Sequence, residues 1–110
     1  MKPYPNPGDN RLDKLPTGID RLSNLRSLYL MKNRFEQIPE EIGNLSKLLY
    51  LYLNHNRLHT LPTTLTNLTN LEEFDVGNNH LQITDDALLR WLNWKDADWA
   101  GSQSLETLTE

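Results

Sequence analysis

"LLYLYLNHNRL", residues 48–58, decides the fold. Leu51 and Leu53 lie two apart, so in an extended strand they share one face while Tyr50, Tyr52 and Asn54 share the other. The alternation then breaks into Asn-His-Asn-Arg, a run suited to a turn. His55 and His59, four apart across that break, raise the question of a metal or catalytic pair.

Working outward, the stretch is the middle of three copies. Residues 15–37 read "LPTGIDRLSNLRSLYLMKNRFEQ", residues 38–60 "IPEEIGNLSKLLYLYLNHNRLHT", and residues 61–83 "LPTTLTNLTNLEEFDVGNNHLQI". They align without a gap at a period of 23. Matched columns include Pro16/Pro39/Pro62, Ile19/Ile42/Leu65, Leu22/Leu45/Leu68, Leu28/Leu51/Phe74, Leu30/Leu53/Val76 and Asn33/Asn56/Asn79. A fixed period of this length is the mark of a stacked-repeat architecture, in which no unit buries its apolar edge alone. Within a unit, Ile19, Leu22 and Leu25 are three apart, which suits a 3-10 turn or short helix on the return path. Successive strands then become parallel neighbours about 4.8 Å apart. The Asn column is expected to form a ladder that satisfies backbone groups where the chain leaves each strand. The Pro column fixes φ where the chain swings to the outer side.

"LRSLYLMKNRF", "LLYLYLNHNRL" and "LEEFDVGNNHL" are similar to the leucine-rich repeat signature LxxLxLxxNxL. The "LP" or "IP" start and the 23-residue period resemble the short repeats of intracellular and bacterial members. The resemblance implies a right-handed α/β solenoid: a short parallel sheet on the concave side, a 3-10 or irregular convex side, and a role as a protein-binding scaffold. The expected organisation is an N-terminal segment with a partial repeat (residues 1–14), three repeats (15–83), a C-terminal helical cap (84–101) and a polar tail (102–110).

A stacked array needs caps at both ends. In "ITDDALLRWLNWKDADW", Thr84 or Asp85 suits a helix start and Leu88, Trp91 and Leu92 fall on one helical face. Trp99 is expected to fold back onto the last repeat. The run "RWLNWKDADWAGSQ" looks like a flank that follows such repeats in some bacterial proteins. At the other end, Pro3, Pro5 and Pro7 cannot supply a paired strand. Either "YPNPGD" is a short cap, with Tyr4 packing down, or a further segment precedes it; the edge at residues 27–31 then stands open to self-association.

Charge divides the chain. Residues 1–60 hold nine Lys/Arg against six Asp/Glu, and residues 61–110 hold two against nine, within a net charge of −4. The acidic half argues against nucleic acid and against an anionic membrane surface as partners. There is no cysteine for a disulfide or a thiolate-bound zinc, no long apolar run, and no apolar segment near the first residues typical of a cleaved secretory signal. A cytoplasmic protein is expected.

Read in columns, the histidines lose their interest. His55 aligns with Lys32 and Asn78, and His59 with Glu36 and Gln82, so neither column repeats a ligand. Helix capping accounts for Asp85–Asp86, and a solvated face for Glu72, Glu73 and Asp75. The sequons at Asn44 and Asn67 occupy equivalent repeat positions. No nucleophile elbow, phosphate-binding glycine loop or zinc motif is present, so neither a catalytic residue nor a cofactor is expected. The candidate partner-binding residues are Tyr29, Met31, Tyr50, Tyr52, Asn54, Glu73 and Asp75, all on the sheet face opposite the leucines. The function expected is an interaction module that binds a protein or peptide there. The alternative is a structural or capping fragment of a larger protein whose activity lies in another domain.

Overall fold

The computed structural model describes residues 13–15 and 18–103. Three strands, β1 (Ser27–Tyr29), β2 (Tyr50–Tyr52) and β3 (Glu73–Asp75), form a parallel sheet in the order β1-β2-β3. The register is the one the 23-residue period demands: Leu28 pairs with Leu51 and Leu51 with Phe74. Between strands the chain returns through 3-10 turns at Ile19–Arg21, Glu40–Asn44 and Thr63–Asn67. Pro39 and Pro62, each at φ −69°, enter the last two, where the ring's fixed φ and missing N–H cost nothing. The first turn is shorter and enters through Gly18 at φ 84°, in the left-handed region that glycine adopts without a Cβ penalty.

Stacking buries the repeat columns. Leu28, Leu45, Leu48, Leu51, Leu53, Leu58, Leu65 and Leu68 are fully buried, each side chain worth about 1.5–3 kcal/mol when removed from water. Leu22, the first of its column among the described residues, is 44% exposed. Gly43 is buried, and a Cβ there would sit 2.5 Å from the Thr64 Cβ, so glycine at this position admits the close approach of the next turn.

The asparagine ladder forms as expected. Asn56 Oδ1 accepts from Phe35 N at 3.2 Å, and its Nδ2 donates to Leu30 O at 2.9 Å and Leu53 O at 3.0 Å. Asn79 repeats this one unit on, with Leu58 N at 3.0 Å and Leu53 O at 3.1 Å. Each asparagine therefore ties its own turn to the preceding one.

The C-terminal cap is helix α1 (Asp86–Lys95) followed by a 3-10 turn, Trp99–Ser102. Asp85, not Thr84, caps α1, its Oδ2 accepting from Leu88 N at 2.9 Å. Leu88 and Leu92 are buried, and Trp91 packs edge-on against Phe74 with ring centroids 5.1 Å apart. Trp99 folds back, is buried, and donates from Nε1 to Asn93 Oδ1 at 2.8 Å.

The cap also imitates a fourth repeat with side chains. Leu30 N donates to Tyr52 O and Leu53 N to Asp75 O, whereas Val76 N donates to the Asp96 carboxylate at 3.0 Å. Lys32 N and His55 N donate to Asn54 O and Gly77 O, whereas Asn78 N donates to Ser102 Oγ at 3.0 Å. Leu81 N, in the column of Phe35 and Leu58, donates to Gln103 Oε1 at 3.0 Å. Sheet and ladder thus end on Asp96, Ser102 and Gln103, which cover an edge that would otherwise recruit another strand. Ser102 and Gln103 belong to the cap rather than to a polar tail beginning at residue 102; residues 104–110 lie outside the described residues. Residues 1–12 do too, so the expectations for Tyr4, the prolines and the partial repeat are not addressed.

Candidate functional site

Outward-facing strand residues make the concave face. Tyr29, Met31, Tyr50, Tyr52 and Asn54 are half-buried, while Glu73 and Asp75 are exposed. Backbone register places Ser27 beside Tyr50, Tyr29 beside Tyr52, Tyr50 beside Glu73 and Tyr52 beside Asp75. The Tyr29 and Tyr52 rings meet at 5.0 Å, tilted 39°, a geometry worth about 0.5–1.5 kcal/mol beyond burial. Tyr50 stands next to the small Ser27 on one side, so its ring has no aromatic neighbour in that column.

Side-chain bonding departs from simple register. The Tyr52 hydroxyl donates diagonally to Glu73 Oε1, not to its register partner Asp75. Asp75 Oδ1 instead accepts from Gly77 N at 2.9 Å, closing the turn out of β3. The Glu73 bond, with burial and the neighbouring negative charges adding to it, pushes the Tyr52 phenol up to about 12. At neutral pH this hydroxyl is a donor committed to Glu73. Gly77 leaves room beside Asp75 for Ser102, whose Oγ a Cβ there would approach to 2.8 Å.

The histidines are arranged differently from the pairing their spacing suggests. His55 is exposed at φ 60°, in the same left-handed turn position as Lys32 (φ 60°) and Asn78 (φ 58°). Its Nδ1 lies 3.1 Å from Asn54 Nδ2. His59 lies not against His55 but against His80 of the next unit, ring centroids 5.4 Å apart. Among the described residues no group of three or more His, Cys, Asp or Glu is placed to hold a metal ion. At the covered edge of the sheet, burial pushes the Asp96 carboxyl above its usual range, and Asp75 and Asp98 add to the shift against the lowering pull of Val76 N–H.

The family model describing a leucine-rich repeat region matches residues 8–92. The chain belongs to the leucine-rich repeat family. Among solved structures, this leucine-rich repeat chain is similar to a leucine-rich repeat protein of Leptospira interrogans, at 31% identity over 76% of its length and a TM-score of 0.69. It spans only 21% of that protein. No match was found among curated proteins. No helix among the described residues is long and apolar enough to cross a membrane.

Two features escaped sequence reasoning. The exposed Trp94, 74% exposed with Lys95 Nζ 4.3 Å from its ring centre, sits on the helix face away from the repeats. The roles of Asp96, Ser102 and Gln103 carry no repeat signal, since only Ser102 stands 23 residues after Asn79 and none is an asparagine.

Proposed function

We propose that this leucine-rich repeat protein is a protein-interaction module that engages a protein or peptide through Tyr29, Met31, Tyr50, Tyr52, Asn54, Glu73 and Asp75. Proteins with this fold commonly mediate protein–protein contacts and are typically not enzymes, which agrees with the absence of catalytic motifs in the sequence. The observation that carries the reading is the partly exposed tyrosine cluster on a paired sheet face. Tyrosine is large, amphipathic and low in rotamer entropy, and is enriched at binding hot spots. The pair energy of Tyr29 and Tyr52 explains two aromatic residues in one column, but not Tyr50, which has no aromatic column neighbour. The acidic C-terminal half disfavours nucleic acid or an anionic membrane as partner.

A second reading, a structural or capping fragment of a larger multidomain leucine-rich repeat protein whose activity lies in another domain, is favoured by Leu22, an apolar repeat position that is 44% exposed. It includes self-association through the edge of β1. Tests of the two readings differ. Capture from native lysate by wild type, lost with the Y50A/Y52A double variant while circular dichroism is unchanged, supports the concave-face module. Full capture by that folded variant removes it. Concentration-dependent association in light scattering, abolished by Leu22→Lys, supports the second reading.

A further inference from the structure

The concave face is not chemically symmetric. Exposed Arg26 and Lys32 flank β1, whereas exposed Glu73 and Asp75 face outward on β3 with Glu72 just before it, within a half of the chain that holds two Lys/Arg against nine Asp/Glu. The one lysine of that half, Lys95, is turned elsewhere: its Nζ donates to Leu71 O at 2.5 Å and lies over the Trp94 ring. The Tyr52 hydroxyl proton is committed to Glu73, so what this hydroxyl offers outward is oxygen lone pairs. Asp75 commits one oxygen to Gly77 N, and a carboxylate retains further acceptor positions. Tyrosine rings present negative π-faces to a cation. The charged groups offered between β2 and β3 are therefore both anionic: two exposed carboxylates, set beside the Tyr50 and Tyr52 rings and the Tyr52 phenol oxygen.

We infer that the half of the concave face formed by Tyr50, Tyr52, Glu73 and Asp75 takes a cationic side chain, an arginine or lysine projecting from an extended segment of a protein partner. The inference rests on the concave-face reading above and adds to it the chemistry and the position of the contact. An anionic group is directed to the other border, near Arg26 and Lys32. A partner carrying a positive residue thus lies in one register across the sheet, with its cation at the cap side. The guanidinium suits the site because its planar donors engage a carboxylate while its face lies on a ring.

The test uses the full chain and a blocked Gly-Gly-Arg-Gly-Gly peptide, with peptides carrying citrulline or glutamate in place of arginine. Amide chemical shifts are followed by NMR. The arginine peptide is expected to move Tyr50, Tyr52, Glu73 and Asp75 together, saturably, and the two comparison peptides are not. E73Q keeps an acceptor for the Tyr52 hydroxyl and removes the charge; with D75N it should weaken arginine binding about fivefold or more. Y52F, which keeps the ring face and both carboxylates and loses only the phenol oxygen, should retain binding within about twofold. Equal shifts at Glu40, Glu41, Asp85 and Asp86 overturn the inference, as do unchanged affinity in E73Q/D75N, equal binding of the citrulline peptide, or no shift at all. Failure here is distinct from failure of the parent reading. Partner capture abolished by Y50A/Y52A but retained in full by E73Q/D75N sinks the cationic contact and leaves the concave-face module standing.

Discussion

Replacing Asn56 examines how the repeats are joined. Asn56→Ala removes the Oδ1 that accepts from Phe35 N and the Nδ2 that donates to Leu30 O and Leu53 O. The two carbonyls keep a second donor each, Asn33 Nδ2 at 3.0 Å for Leu30 and Asn79 Nδ2 at 3.1 Å for Leu53. The Phe35 N–H loses its bond inside a buried turn. One orphaned buried donor plus a small void gives an expected loss of about 2–4 kcal/mol, against a total stability of about 5–15 kcal/mol for a typical domain. Asn56→Asp keeps the acceptor for Phe35 but turns a negative oxygen toward the two carbonyls. It should cost about 1–2 kcal/mol more than Asn56→Ala at pH 7, with the excess shrinking on acidification as the acid becomes a donor again. Urea unfolding followed by far-ultraviolet circular dichroism, with constant slope, measures both. An Asn56→Ala variant within about 0.5 kcal/mol of wild type, or Asn56→Asp the more stable of the two at pH 7, refutes the donor-limited ladder; each threshold is about the ordinary effect of a neutral surface change.

Four further outcomes are expected. Gln103→Ala orphans Leu81 N–H and should cost about 1–3 kcal/mol in urea unfolding, while Asp96→Asn keeps an acceptor for Val76 N and should match or exceed wild type at neutral pH. The sign follows from the raised Asp96 pKa: the native state holds that proton more tightly, a contribution fully present below the unfolded carboxyl range and lost as pH rises through the folded value, so the Asp96→Asn advantage should shrink toward pH 4; a loss above about 1 kcal/mol at pH 7 contradicts the penalty assigned to burial. Gly43→Ala should destabilise by about 1–3 kcal/mol through overpacking, because the added carbon meets Thr64 Cβ at 2.5 Å and Thr64 O at 2.6 Å, whereas Gly101→Ala, with nothing within 4 Å, should be near neutral; equal effects in unfolding curves contradict the contact. Difference titration of wild type against Y52F should find the Tyr52 phenol ionising near 12 rather than at the usual 10. Its stabilising contribution is fully present below pH 10 and lost as pH rises through about 12; a normal phenol in wild type removes the Glu73 bond, and no downward move in E73Q removes the contribution of the Glu73 charge.

Most of the fold was legible because every repeat restates it. Period, inward leucines, asparagine ladder and strand register all follow from columns that agree three times, and the register alone places Tyr29 beside Tyr52. What occurs once was not legible in the same way. The columns give backbone neighbours, and Tyr52 chose the diagonal Glu73 because a long phenol and a longer carboxyl meet across a row where the shorter Asp75 turns back to Gly77. The cap's three substitute acceptors are spread over Asp96, Ser102 and Gln103, at spacings set by a helix and a turn rather than by the repeat. His59 meets His80 through stacking of successive units, a relation that spacing within one unit does not reveal.

The central claim, that a protein partner covers the tyrosine face, is tested most directly by site-specific photo-crosslinking in native lysate. A benzophenone amino acid replaces Tyr50 on the concave face or, separately, exposed Glu41 on the convex 3-10 turn. The account predicts discrete protein adducts from position 50, suppressed by excess unlabelled wild-type chain, and none of matching mass from position 41. Adducts from position 41 alone, or identical adducts from both positions, contradict it.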